Sequence, residues 1–181
     1  MNVDITNICA KFSTGCVLDL DEILNNEHYY ILNYKKYKKN VFSALIAKYN
    51  ELKLTFLIFS NGNIIITGAK SVKECENAIY DLVFTLNLIG PYSASILNYC
   101  VTNYCAKINM GKHVNFEKLC SSEDQAEYTP EIFISVKYKI NNRNLTVTRK
   151  GIIFGVGFKT PEEANDCLTI AYNRVKPYLI N

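Results

Sequence analysis

LTFLIFSNGNIIITGAK, residues 54 to 70, is the stretch whose reading decides the fold. Two apolar runs flank Ser60-Asn61-Gly62-Asn63, and that turn chemistry makes the stretch a β-hairpin. A hairpin with one wet face alternates apolar with polar residues. Here Leu54, Phe56 and Ile58 share one parity and Thr55, Leu57 and Phe59 the other, and both are mostly apolar. Beyond the turn, Ile64 and Ile66 alternate with Ile65 and Thr67. Helices can seal one face of such a hairpin. The second face needs a cover of its own.

Working outward, the 181 residues suffice for one domain or two small ones with a real core. Apolar residues make up 49% and charged residues 20%, a globular balance. The formal net charge of +3 is only mildly basic, so a nucleic-acid role needs a localised surface. Lys35, Lys36, Lys38 and Lys39 form the one basic cluster, read as a solvated loop. The opening MNVDITN carries no basic-then-apolar leader, and no apolar run approaches the roughly 20 residues of a membrane span. Seven cysteines, odd in number and without a Cys-x-x-Cys pair, predict reduced thiols in an intracellular protein.

The hairpin has a counterpart in LTVTRKGIIFGVGFK, residues 145 to 159. Gly62 matches Gly151 and Lys70 matches Lys159, each 89 residues apart. At the same offset Ser71-Val72-Lys73-Glu74 matches Thr160-Pro161-Glu162-Glu163, two capping boxes that open helices. Helical spacing follows in both copies, in Val72, Cys75, Ile79, Leu82, Val83 and Leu86 and in Ala164, Cys167, Leu168, Ala171, Tyr172 and Val175. Tyr37 and Phe42 echo Tyr128 and Phe133 at 91 residues, and Asn7 to Lys11 echo Asn103 to Lys107 at 96. Short capped segments start at Asp19 and Asn115. The expected plan is a duplicated unit, residues 1–92 and 93–181, each running strand, short helix, several strands, long helix. That plan predicts an α+β fold with helices on one face of an antiparallel sheet, the other face being an interaction surface or a dimer contact.

Asn7-Ile8, Gly15-Cys16-Val17-Leu18-Asp19-Leu20, Leu57-Ile58-Phe59-Ser60-Asn61-Gly62 and Thr67-Gly68-Ala69-Lys70 closely resemble the first repeat of the TATA-box-binding protein core. Phe42 stands 17 residues before Phe59, the spacing of that family's paired intercalating phenylalanines. Asn103, the stretch Tyr128-Thr129-Pro130-Glu131-Ile132-Phe133 and the Gly151 hairpin resemble its second repeat.

The resemblance implies a pseudo-symmetric saddle, a continuous curved antiparallel sheet with helices on its convex side and DNA beneath its concave side. Minor-groove wedging and kinking is the mode for which this family is itself the type example. The resemblance makes Phe42, Phe59 and Phe133 intercalating residues. It makes Asn7, Cys9, Leu57, Ile65, Thr67, Asn103 and Cys105 groove contacts, and Lys48, Lys53, Lys139 and Arg143 phosphate contacts. Pro130, Glu131 and Ile132 resemble the docking site for transcription factor IIB, with Thr129 where an acidic residue is usual. The implied partners are double-stranded promoter DNA, a IIB-like factor and the RNA polymerase machinery. The implied location is the nucleus, or a cytoplasmic factory should the source be a virus.

The chain also departs from the family. Thr148 stands where the second repeat should carry its second intercalating phenylalanine, Val156 replaces a threonine, and Asn144, Thr146 and Thr148 make this part of the face polar. A weaker kink or looser sequence selectivity is expected there, and Phe154 and Phe158 are the residues that could compensate. The helix after Lys70 carries only Lys73 against Glu74, Glu76 and Asp81, unlike the family's basic helix.

Enzyme chemistry is not expected, because His28 and His113 lack metal-ligand spacing or a neighbouring nucleophile, and no phosphate-binding Gly-rich loop occurs. No cofactor or metal is expected either. The competing reading is a module of the same fold reused for protein or RNA interaction without DNA bending.

Overall fold

The computed structural model describes residues 2–26, 32–49 and 54–180. The chain divides into two compact units, Asn7–Thr102 and Met1–Thr6 with Asn103–Asn181. Strand β1 (Val3–Ser13) is followed by α1 (Leu20–Asn25), β2 (Leu32–Lys38), β3 (Phe42–Tyr49), β4 (Leu54–Phe59), β5 (Asn63–Ala69) and α2 (Val72–Ile89). The series then repeats as β6 (Leu97–Asn109), the short β7 (His113–Val114), α3 (Phe116–Ser122), β8 (Ala126–Glu127), β9 (Val136–Ile140), β10 (Arg143–Val147), β11 (Ile152–Phe158) and α4 (Pro161–Val175). A last turn, Lys176–Tyr178, leads to β12 (Leu179–Ile180), which pairs with β7.

In the first unit the strand order is β2-β3-β4-β5-β1, and in the second it is β6-β11-β10-β9-β8, with antiparallel pairing throughout the registers below. Reading outward from β1 and from β6, the strands follow one another in the same sequence. This is the α+β plan that the hairpin patterns predict.

The turns explain why the plan recurs. Gly62 N–H donates to Phe59 O and Gly151 N–H donates to Thr148 O, both at 3.0 Å, and the two glycines have φ of +84° and +73°. Each turn is then tied to the segment after its unit's first long strand. Thr14 N–H donates to Gly62 O and Met110 N–H to Gly151 O, both at 2.8 Å. Leu18 N–H reaches Ser60 O at 2.8 Å, and Val114 N–H reaches Arg149 O at 2.9 Å. A Cβ on Gly62 would lie 2.2 Å from Cys16 O, and one on Gly151 would lie 2.1 Å from Lys112 O. Left-handed backbone and close approach together leave room only for glycine.

Both long helices begin as the capping boxes require. Ser71 accepts from Glu74 N–H and Thr160 from Glu163 N–H, each at 3.1 Å. The two glutamates reach one residue beyond the cap, to Lys70 N–H and Lys159 N–H, each at 2.7 Å. Asp19 caps α1 by accepting from Asp21 N–H and Glu22 N–H, and Asn115 caps α3 by accepting from Lys118 N–H.

Helix α2 buries Cys75, Ala78, Ile79, Leu82, Thr85 and Leu86, and α4 buries Ala164, Cys167, Leu168, Ala171 and Val175. Val72, Val83 and Tyr172, which share the helical spacing, flank these stripes half-buried. Helix α2 packs on β5, and α4 packs on β11 and β9. Buried on one parity of the first unit's sheet are Ile8, Ala10 and Phe12, Leu54, Phe56 and Ile58, and Ile64 and Ile66. Each of these side chains larger than alanine, fully buried, contributes about 1.5–3 kcal/mol. The opposite parity remains at least partly open.

The basic cluster differs from its expectation: Lys35, Lys36 and Lys38 lie in strand β2, and only Lys39 falls in the turn after it. Alternation turns Lys35 inward, where Nζ donates to Ile23 O at 3.2 Å and Asn26 O at 2.6 Å, satisfying carbonyls at the end of α1. Lys36, Lys38 and Lys39 stay exposed.

Replacing either hairpin glycine by alanine is expected to cost more than about 2 kcal/mol in urea unfolding, from strain and clash together. Gly111→Ala, at φ +71° but with nothing within 4 Å of its Cβ, should cost only about 1–2 kcal/mol.

Candidate nucleic-acid interface

Cross-strand pairing places the open-face side chains of the Asn7–Thr102 unit in rows, because residues opposite one another point to the same side. Lys11 pairs with Ile65, Ile65 with Leu57, Leu57 with Ile46 and Ile46 with Lys36. The row is thus apolar through its middle and ends in a lysine on each side. A second row joins Cys9, Thr67, Thr55 and Lys48. Ile65 is 36% exposed although it sits mid-sheet.

Phe59 stands on β4 opposite Ala44 of β3, and Phe42 starts β3 two residues earlier on the same parity. Their rings meet edge to face, with centroids 6.3 Å apart and planes at 64°. Phe42 is 42% exposed. The pair forms an apolar projection at the end of the rows.

Asn7 is held where the second row begins. Its Oδ1 accepts from Gly68 N–H at 2.7 Å, which fixes the amide rotamer. Nδ2 then lies on the Cys9 and Thr67 side, 3.4 Å from Cys9 Sγ and 3.3 Å from Thr67 Oγ1. Cys9 Sγ and Thr67 Oγ1 are 3.2 Å apart. Asn7, Cys9, Leu57, Ile65 and Thr67 therefore lie together on one open face.

The second unit uses the same frame with other side chains. Lys107 pairs with Phe154, Phe154 with Thr146 and Thr146 with Lys137. Asn144 pairs with Lys139. Thr146 occupies Leu57's place, Asn144 that of Thr55 and Phe154 that of Ile65, all at the 89-residue offset. Phe154 is 39% exposed and Val156 58%. Phe158 is fully buried opposite Tyr104. The two aromatic residues that could compensate for Thr148 thus separate into a face residue and a core residue. The register shift between Gly155 and Phe158 sends Phe158 inward. Asn103 Nδ2 lies 3.5 Å from Cys105 Sγ, matching the Asn7–Cys9 contact, but its Oδ1 is buried without a partner.

Thr148 spends its hydroxyl on the turn, accepting from Ile152 N–H at 3.0 Å. Phe133 precedes β9 in a turn, its N–H donating to Thr129 O at 2.8 Å, and it is 36% exposed. Pro130, Glu131 and Ile132 are exposed in that same turn.

Arg143 does not join the face. It shares the inward parity of Leu145 and Val147, and Nε and Nη2 lie 2.7 Å and 2.6 Å from Glu163 Oε1 at the start of α4. The Lys159 N–H, and then Arg143, hold the Glu163 carboxyl below its ordinary range. Lys53 lies outside the described residues. Sequence reading missed Lys11, Lys107 and Lys137, took Lys36 for part of a loop, and named Phe154 without placing it; the signal that places Phe154 was its 89-residue match to Ile65.

Among the described residues no group of acidic, cysteine or histidine side chains is arranged to hold a metal ion, and all seven cysteines are free. No described helix is long and apolar enough to cross a membrane. Burial, foremost, pushes the thiol of Cys75, on the covered side of α2, up to about 11.

The family model described as transcription factor TFIID, or TATA-binding protein, matches residues 2–89 and again residues 98–178. The chain is 30% identical to TATA-box-binding protein 2 of Methanosarcina acetivorans, over 93% of this chain and 91% of that one. It is 26% identical to the TATA-box-binding protein of Thermococcus celer, over 96% and 90%. The solved structure of Methanococcus jannaschii TBP shares the fold, with a TM-score of 0.80 at 24% identity, covering 98% of this chain and 99% of the other.

The two asparagines should respond differently to truncation. Asn7→Ala strips Gly68 N–H of its acceptor and is expected to cost about 1–3 kcal/mol in thermal or urea unfolding. Asn103→Ala, which removes an already unpartnered oxygen, should cost distinctly less.

Proposed function

The chain belongs to the TATA-binding protein family, whose members are DNA-binding transcription factors and not enzymes, and from that premise we propose how its open faces engage promoter DNA. It is a TATA-binding transcription initiation factor. In our reading residues 1–92 and 93–181 are two repeats of one duplicated unit, each turning its open face to the minor groove. The paired turn bonds at constant offsets and the two successive family matches support that reading.

The observation that carries the mechanism is the uncovered face of the first unit, apolar in its middle, lysine-edged and ending in the Phe42–Phe59 pair. The minor groove presents only acceptors at A·T pairs, and G·C adds the guanine amino donor. Leu57, Ile65 and Ile46 offer that donor no acceptor, so covering a G·C pair would leave a buried group unpaired. Asn7 and Thr67 can donate to the acceptors of an A·T pair, with Cys9 packed between them, and Asn103 with Cys105 plays the corresponding role in the second repeat. Phe42 and Phe59 wedge into one base step, where unstacking costs a few kcal/mol, roughly, and gains wider contact. Phe133, outside any strand and without an aromatic neighbour at Thr148, gives a weaker kink at the other end.

Lys48 and Lys139 lie where strand margins meet phosphates, and Lys36 and Lys137 extend those margins. Arg143 is bound to Glu163 and is left out of the phosphate contacts. The exposed Pro130-Glu131-Ile132 turn is the proposed docking point for a IIB-like factor. The protein acts wherever its DNA is transcribed, the nucleus in a nucleated cell.

The decisive measurement is energy transfer across an end-labelled TATA duplex. Wild type should bend it, Phe42→Ala with Phe59→Ala should abolish most of the bend while keeping much of the non-specific affinity, and Phe133→Ala should matter less. Unchanged bending in the double variant would sink the wedge, and binding without any bend would favour the protein- or RNA-binding module. In salt titrations Lys48→Ala should lower the slope of log affinity against log salt by about 1. Arg143→Ala should leave that slope alone and lower unfolding stability instead.

A further inference from the structure

We propose that Thr146 and Asn144 make the second unit's face tolerant of G·C pairs, so that the chain reads one half of its site strictly for A·T and the other loosely. The inference rests on the promoter-binding reading and deepens it.

The two faces share a frame, so differences between matched positions isolate chemistry from geometry. Where the first unit has Leu57 between Ile65 and Ile46, the second has Thr146 between Phe154 and Lys137. A leucine cannot accept a hydrogen bond. A threonine hydroxyl has two acceptor lone pairs and rotates to suit its partner. Thr146 is half-buried and Asn144 exposed, and neither side chain is engaged in a hydrogen bond among the described residues. Both therefore offer unclaimed acceptors on the face.

The core does not require this polarity. Thr146 lies between Leu145 and Val147, which are 1% and 0% exposed and pack on the helix-covered side, where Thr146 takes no part. A third difference points the same way. The Asn7 oxygen is engaged by Gly68 N–H, whereas the Asn103 oxygen has no partner, because no bond comes to it from Gly157 at Gly68's place. An amide not fixed by the backbone can turn either its oxygen or its nitrogen toward a base edge. The guanine N2 amino group, unpaired against Leu57, would thus meet an acceptor against Thr146. The cost of a G·C pair disappears on that side while the A·T acceptors still find the threonine hydroxyl as a donor.

The test uses the full chain and a panel of labelled duplexes in which each A·T pair of a TATA site is changed singly to G·C. Wild type should lose about tenfold or more in affinity at positions in one half and less than about threefold in the other. Thr146→Val, which keeps the shape and removes the hydroxyl, should restore a penalty of about tenfold in the tolerant half only. Leu57→Thr should relax the strict half only. Inosine in place of guanine, lacking the amino group, should abolish the penalty in the strict half. Equal intolerance in both halves, or a Thr146→Val profile identical to wild type, overturns the proposal and leaves promoter binding standing. Absence of binding to every duplex overturns the promoter-binding reading and this inference together.

Discussion

In each unit a long helix closes one side of a five-stranded sheet, and strand alternation then forces every second side chain onto the side that the helix does not reach. The covered side is built from Ile8, Phe12, Phe56, Ile58 and Ile64 in one unit and Ile108, Tyr138, Leu145, Val147 and Ile153 in the other. Those residues account for folding. Leu57, Ile65 and the Phe42–Phe59 pair do not belong to that core, yet they are too apolar to be indifferent to water. The tension between a sealed core and an unsealed apolar face is what singles out the first unit's open side as the surface proposed to meet the groove of a nucleic acid.

The second unit shows what happens when the frame is kept and the face is changed. Its turn, caps and cross-strand ties copy those of the first down to hydrogen bonds that differ by about a tenth of an ångström. Glycine at 62 and 151 and the glutamates at 74 and 163 hold that frame whatever the outward residues are. Thr146 and Asn144 therefore alter the chemistry of the open face without disturbing the core. Divergence confined to one parity is economical in just this physical sense: period-two alternation separates the residues that fold the sheet from those on its open side.

Charge is distributed by the same alternation. Lys35 and Arg143 point to the helix side and satisfy helix-end groups, Ile23 and Asn26 carbonyls in one case and the Glu163 carboxylate in the other. Lys11, Lys36, Lys107, Lys137 and Lys139 point to the open side and border the rows. A chain with a net charge of only +3 can thus present lysines where a polyanion would pass, because parity and not total charge decides where they stand.

The sequence by itself determined the hairpins, the four capped helices, the α+β plan, the family and the parity of Leu57, Ile65 and Cys9. Each of these is written in local chemistry: a turn glycine, a hydroxyl three residues before a glutamate, a period of two or 3.6. The tertiary structure decided what local chemistry cannot. Whether Lys35 or Lys36 faced the open side depended on pairing with β3, and Arg143 was claimed by a carboxylate 20 residues away. Phe154 and Phe158, alike in sequence, were parted by one bulge in β11 that turned the first to the face and the second into the core. Register is a relation between strands, and a single shifted residue reverses which side a side chain serves.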